Sequence, residues 1–112
     1  MFYLKAKTVI YASHILNLDK LTQNTNQHWH NWEIIVYCKS YQLNKNGLVV
    51  DPDKITNIIK DLDHSNINLK IENPTVENIA KYIAEQIPEC YKVKIIETPN
   101  KSITYCKEDI AF

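Results

Sequence analysis

From Phe2 to His14 apolar and polar side chains alternate. Phe2, Leu4, Ala6, Ile10 and Ala12 share one parity, and Lys5, Lys7 and Ser13 take the other. That is the period of a half-buried strand. Over residues 15–27 (ILNLDKLTQNTNQ) the period is lost and polar residues dominate, which predicts a loop. Alternation returns over 28–42, with His28, His30, Trp32, Ile34, Val36 and Cys38 on one face and Asn31, Glu33 and Lys39 on the other. Asn46-Gly47 then signals a turn, with Gly where a positive φ is wanted.

The period next changes from two to that of a helix. Asp51-Pro52 supplies an N-cap followed by proline at the first helical position, and Ile55, Ile58, Ile59 and Leu62 recur on one helical face. Asn73-Pro74-Thr75 opens a second helix in the same manner. Its apolar stripe is Val76, Ile79, Ala80, Ile83, Ala84 and Ile87, and Pro88 ends it. Residues 91–97 (YKVKIIE) alternate again and 101–106 (KSITYC) are β-prone, joined by Thr98-Pro99-Asn100. The order ββααββ, without repeats, low-complexity linker or internal break, predicts one α+β domain over residues 1–112 with both helices on one face of an antiparallel sheet.

Composition narrows the function. The 13 basic residues are all Lys and balance 13 acidic ones. A neutral chain without Arg is a poor match for nucleic acid, where basic patches and guanidinium forks carry affinity. The single Gly excludes a glycine-rich phosphate loop. Cys38, Cys90 and Cys106 form neither an even set nor a CxxC pair, which fits a reducing compartment. With no signal-type apolar run and no stretch of the ~20 apolar residues that span a bilayer, the expectation is a cytoplasmic protein without membrane contact.

The four histidines remain the pointed feature. His28 and His30 are two apart on a strand, so they project from one face about 6.6 Å apart along the chain. His14 ends the preceding strand on its apolar parity. If those strands are antiparallel neighbours, His14 lies opposite the pair. Three neutral imidazoles with a fourth position open describe a catalytic zinc site. The ordinary alternative is two surface histidines and one core histidine. His64, after Asp63 at the end of the first helix, reads equally well as a helix-end cation or as an imidazole oriented by a carboxylate for proton transfer. Glu97 closes an apolar strand. There it is either a strand end meeting solvent or a carboxylate able to grip the amino-imino edge of a heterocycle.

Taken in order, 11–16 (YASHIL), 28–32 (HWHNW), 47–51 (GLVVD), 62–68 (LDHSNIN), 73–78 (NPTVEN) and Glu97-Thr98 resemble the 6-pyruvoyltetrahydropterin synthase / 6-carboxytetrahydropterin synthase family. The resemblance implies the tunnelling fold, zinc held by His14, His28 and His30, and dihydroneopterin triphosphate as substrate. It also implies an Asp63–His64 pair that manages protons and a Glu97 anchor for the pterin ring, with the Thr75–Glu77 stretch near that pocket. The assembly it implies is a homo-hexamer of two stacked trimers, each closing its sheets into a barrel, with active sites between subunits.

Three positions depart from the family pattern. The family's catalytic Cys, four residues before the first His of the pair, is Asn24 here, and an amide is neither nucleophile nor base. The Gly between the paired histidines is Trp29, and the aromatic after Asp51 is Pro52. Without Arg, substrate phosphates must be met by Lys and backbone N–H groups. The leading expectation is a zinc-dependent lyase of the 6-carboxytetrahydropterin type, on the route to queuosine. The alternatives are folate-type cleavage to 6-hydroxymethyl-dihydropterin, the 6-pyruvoyl product, or a silent paralogue that binds zinc and pterin.

Overall fold

The computed structural model describes residues 1–14 and 28–107, with His14 and His28 described by their backbone alone. Strand β1 (Phe2–His14) pairs antiparallel with β2 (His28–Ser40), and their register runs unbroken from Phe2↔Ser40 to His14↔His28. Helices α1 (Pro52–Lys60) and α2 (Val76–Glu85) follow, then β3 (Cys90–Thr98) and β4 (Lys101–Cys106). The sheet order is β1-β2-β3-β4, every pair antiparallel. The ββααββ order read from the sequence is therefore the observed one. The loop expected over 15–27, with Asn24, lies outside the described residues.

Local chemistry accounts for the boundaries. The Asp51 carboxylate accepts from the Asp53 N–H at 3.0 Å, and Pro52 occupies the first turn. Thr75 Oγ1 accepts from the Asn78 N–H at 3.1 Å and caps α2. Gly47 has φ +78°, the left-handed region its turn requires, and its N–H donates to the Asn44 carbonyl at 2.9 Å.

One face of the sheet buries Ile10, Ala12, Trp32, Ile34, Val36, Val93 and Ile95 against Ile55, Ile59, Ile79, Ile83 and Ile87. Both helices lie on that face, as the alternation implied. Two details differ from expectation. Helix α1 ends at Lys60, so Asp63 and His64 stand in the turn beyond it, and Leu62 reaches the core from that turn. A short 3₁₀ helix, Ile67–Leu69, capped by Asn66, then buries Ile67. Three residues are too few to register as a period. Among the described residues no helix is long and apolar enough to cross a membrane.

The core assignment can be tested by contrast. Ile34→Ala on β2, fully buried, should cost about 2–5 kcal/mol in denaturant unfolding. Val9→Ala, with the side chain 57% exposed on the opposite face, should change stability by about 0.5 kcal/mol or less.

Candidate active site

The predicted site residues gather at one end of the sheet, where β1 and β3 finish and β2 and β4 begin. In the β1–β2 register His14 faces His28 and Ala12 faces His30. All three histidine positions belong to the face of Ala12 and Trp32. The His30 ring stacks on the buried Trp32 indole, with centroids 5.4 Å apart and planes 7° from parallel, so the core itself fixes this imidazole. Three nitrogen donors suit zinc, and the backbone register brings their positions together. Among the described residues, which exclude the side chains of His14 and His28, no three ligating groups converge.

Asp63 and His64 reach the same end by a different route. The chain leaving α1 docks along β1 opposite β2. Asp63 Oδ1 accepts the Tyr11 N–H at 2.8 Å, the His64 N–H donates to the Tyr11 carbonyl, and the Ser13 N–H donates to the Ser65 carbonyl at 3.0 Å. An isolated parallel bridge joins Ser13 to Asn66. His64 takes φ +54°, the left-handed conformation that turns the chain onto the strand. Its Nδ1 lies 3.1 Å from the same Asp63 oxygen. With the proton on Nδ1, Nε2 is left to exchange protons with a ligand. The side chain is 75% exposed, so that nitrogen is accessible.

The two groups do not share a face. His64 packs edge-on to the Tyr11 ring at 5.9 Å, and Tyr11 stacks on Trp29 at 5.0 Å. Tyr11 and Trp29 alternate with Ala12 and His30, so they belong to the face that the helices leave open. Within one chain the Asp63–His64 pair and the three histidine positions are thus brought to one end but to opposite sides of the sheet.

Glu97 borders a groove of about 530 Å³, formed because β3 stops pairing with β2 at Ile96↔Glu33 while β2 runs on to His28. Asn31, Trp32 and Glu33 form one wall and residues 96–99 the other. The Glu97 side chain is only 17% exposed, and Lys101 Nζ stands 3.0 Å from its Oε2. That contact is a close ion pair, and the buried Oε2 keeps lone-pair capacity for a further N–H donor. The Glu97 carboxylate holds the Lys101 ammonium above the ordinary lysine range, with Glu77 adding a smaller push. Glu77 is therefore within electrostatic reach of this corner, and Thr75 stands beside it as the cap of α2. Tyr11, Asn31 and Glu33 were not singled out individually by sequence reasoning. An aromatic residue on the polar parity of a strand end was the one available signal, at Tyr11.

A four-stranded antiparallel sheet with two helices on one face, its histidines and carboxylates collected at one end, is the tunnelling-fold arrangement of pterin enzymes. The chain belongs to the 6-pyruvoyl tetrahydropterin synthase family, whose model matches residues 3–108. It is similar in structure to the 6-pyruvoyl tetrahydropterin synthase of Caenorhabditis elegans, at 25% identity and TM-score 0.72 over 96% of both chains. The Plasmodium falciparum enzyme of the same name shares the fold at 14% identity and TM-score 0.63, over 95% of this chain and 97% of its own. A curated relative, the dihydroneopterin monophosphate aldolase of Pyrococcus furiosus, is 45% identical over 47 residues, a match covering 38% of this chain and 41% of that protein.

The docking of the Asp63–His64 turn separates two roles by mutation. Asp63→Ala strips the Tyr11 N–H of its acceptor and should cost about 1–3 kcal/mol in thermal or denaturant unfolding. His64→Gly removes the imidazole but suits the left-handed backbone, so stability should hold or rise by roughly 1 kcal/mol. A large loss of stability in His64→Gly would mean that the imidazole, not the backbone, holds the turn.

Proposed function

We propose that this chain is a zinc-dependent lyase that cleaves the side chain of a phosphorylated dihydroneopterin, releasing 6-hydroxymethyl-dihydropterin by a retro-aldol reaction. The observation that carries the reading is the meeting, at one sheet end, of three histidine positions, an accessible Asp63-oriented imidazole and a groove bordered by buried Glu97. The name of the curated relative, an aldolase acting on a monophosphate, favours this product over the 6-carboxytetrahydropterin expected from the resemblance. So does the chemistry. A C–H bond is hard to ionise without a thiolate, and Asn24 stands in the thiol's slot. A retro-aldol step needs only a hydroxyl to lose its proton. A chain with Lys but no Arg also suits a monophosphate better than a triphosphate.

The residues divide the work as follows. Glu97 accepts two hydrogen bonds from the amino-imino edge of the pterin, displacing Lys101 toward solvent, where its ammonium is free to meet phosphate. Zinc at His14, His28 and His30 would supply a Lewis acid for the side-chain hydroxyls. Asp63 holds the His64 Nδ1–H, so Nε2 takes the proton of the hydroxyl on the second side-chain carbon. The bond between the first and second side-chain carbons then breaks. Its electron pair enters the conjugated imine of the ring, and the resulting enamine is protonated on the first carbon. Because one chain presents His64 and the zinc-ligand positions on opposite faces, the complete site forms between copies. This supports an assembly of several copies, of which the homo-hexamer of two trimers implied by the resemblance is the form proposed.

A second reading, formation of the 6-pyruvoyl or 6-carboxy product, is favoured by the whole-chain structural likeness to the Caenorhabditis elegans enzyme. Product analysis decides between them. Zinc-loaded protein incubated with dihydroneopterin monophosphate should yield 6-hydroxymethyl-dihydropterin and glycolaldehyde phosphate. A carboxylated or pyruvoyl pterin made from the triphosphate would establish the second reading, and no turnover of either substrate would sink both.

Two variants test the parts. His28→Ala should abolish stoichiometric zinc in a metal assay, and full zinc retention would remove the proposed ligand set. Glu97→Gln exchanges a charged acceptor for an amide and should raise the substrate KM roughly ten- to a hundredfold, with zinc content unchanged.

A further inference from the structure

At the end of the sheet opposite this site, two cysteines face each other across neighbouring strands. Cys38 of β2 and Cys90, the first residue of β3, are register partners where the ladder shifts by one residue. They are 0% and 2% exposed on the core face, and neither is in a disulfide. Opposed residues of an antiparallel pair have Cα atoms about 4.5–5.5 Å apart. A disulfide spans Cα separations of about 4.4–6.8 Å. Register partners at that spacing lie within the span of a disulfide.

The environment makes the two sulfurs unequal. Their thiols lie within hydrogen-bond reach of each other. That bond, donated by Cys38, holds the Cys90 thiol below its ordinary range against the opposing effect of burial, and Lys107 adds to the lowering. The same bond, with burial and the charge of Glu89, pushes Cys38 up. Ionisation thus falls on Cys90, with a protonated thiol as its neighbour. When neutral, Cys90 donates instead to the Lys92 carbonyl at 3.4 Å.

A cavity of about 150 Å³ between Lys39, Glu89 and Lys107 opens onto Cys90. Lys107 Nζ crosses it, donating to the carbonyls of Ile87 at 2.7 Å and Pro88 at 3.3 Å. A water occupies ~30 Å³, so the space admits a small hydroperoxide.

We infer that Cys38 and Cys90 are an oxidation site for hydroperoxides and close to a cross-strand disulfide within one chain. The Cys90 thiolate attacks the peroxide O–O bond. Sulfur is oxidised to the sulfenic acid and the peroxide is reduced, its second oxygen leaving as water. The Cys38 sulfur, losing its proton, then attacks the Cys90 sulfur. The S–S bond forms, the S–O bond breaks, and a second water departs. Two thiols and one hydrogen peroxide give one disulfide and two waters. Cys38 is about 26 Å along β2 from His30, so the inference stands independently of the proposed catalytic reaction.

The test treats the whole, reduced protein with hydrogen peroxide, quenches with N-ethylmaleimide in denaturant, and reads intact mass and peptide maps. Two of the three thiols should be lost to alkylation, leaving a peptide that joins Cys38 to Cys90 and an alkylated Cys106. Cys38→Ser should leave Cys90 as a sulfenic acid that dimedone captures, and Cys90→Ser should leave Cys38 alkylatable. If either variant fails to fold, the peptide map of the unaltered protein decides alone. The inference is overturned if Cys38 and Cys90 stay alkylatable while the exposed Cys106 is oxidised. It is equally overturned if either joins Cys106, or if the Cys38–Cys90 bond appears only in denaturant.

Discussion

The long pairing of β1 with β2 is the constraint on which the rest depends. Its register runs from Phe2↔Ser40 to His14↔His28 without a bulge. Side chains alternate between faces with a period of two, so a slip of one residue would exchange every buried position for an exposed one. Ile10, Ala12, Trp32, Ile34 and Val36 would then leave the helices, and His14 would no longer face His28. The hydrophobic core and the placement of the three histidine positions are therefore specified by the same pairing. Burial of the apolar residues supplies the free energy that holds the polar ones in register.

A second contact ties the helical layer to that end of the sheet. The 63–66 segment pairs with residues 11–13 of β1 through a carboxylate, main-chain hydrogen bonds and a short parallel bridge. Asp63 has two tasks in this arrangement. One oxygen satisfies a main-chain N–H at the strand edge and also meets the His64 ring. Orientation of the imidazole thus rests on the fold itself. The left-handed backbone at His64 is the local cost of bringing the turn onto the strand.

Polar groups at this end are arranged by where pairing stops. Strand β2 continues past the last rung it shares with β3, and the resulting notch exposes the Glu97 carboxylate beside Trp32 and Asn31. Lys101 neutralises that carboxylate from the solvent side. At the far end the same sheet places two thiols rung to rung. The histidine positions and the thiol pair are thus separated by most of the length of β2.

Much of this was legible along the chain. Alternation located both long strands, the cap residues Asp51 and Thr75 located both helices, and Gly47 located a left-handed turn. These features are local, and each follows from side-chain size, branching or hydrogen bonding within a few residues. The His28/His30 pair and the Asp63–His64 pair were visible for the same reason, and family resemblance supplied their roles. Three things were decided by tertiary structure. Asp63 binds the Tyr11 N–H across 52 residues of chain. Tyr11, stacked on Trp29, places His64 on the opposite face from the strand positions of the other histidines. Cys38 meets Cys90 through a register set by the sheet as a whole. No sequence period encodes such contacts, because each depends on which strand edge remains open and where pairing ends once the core has packed.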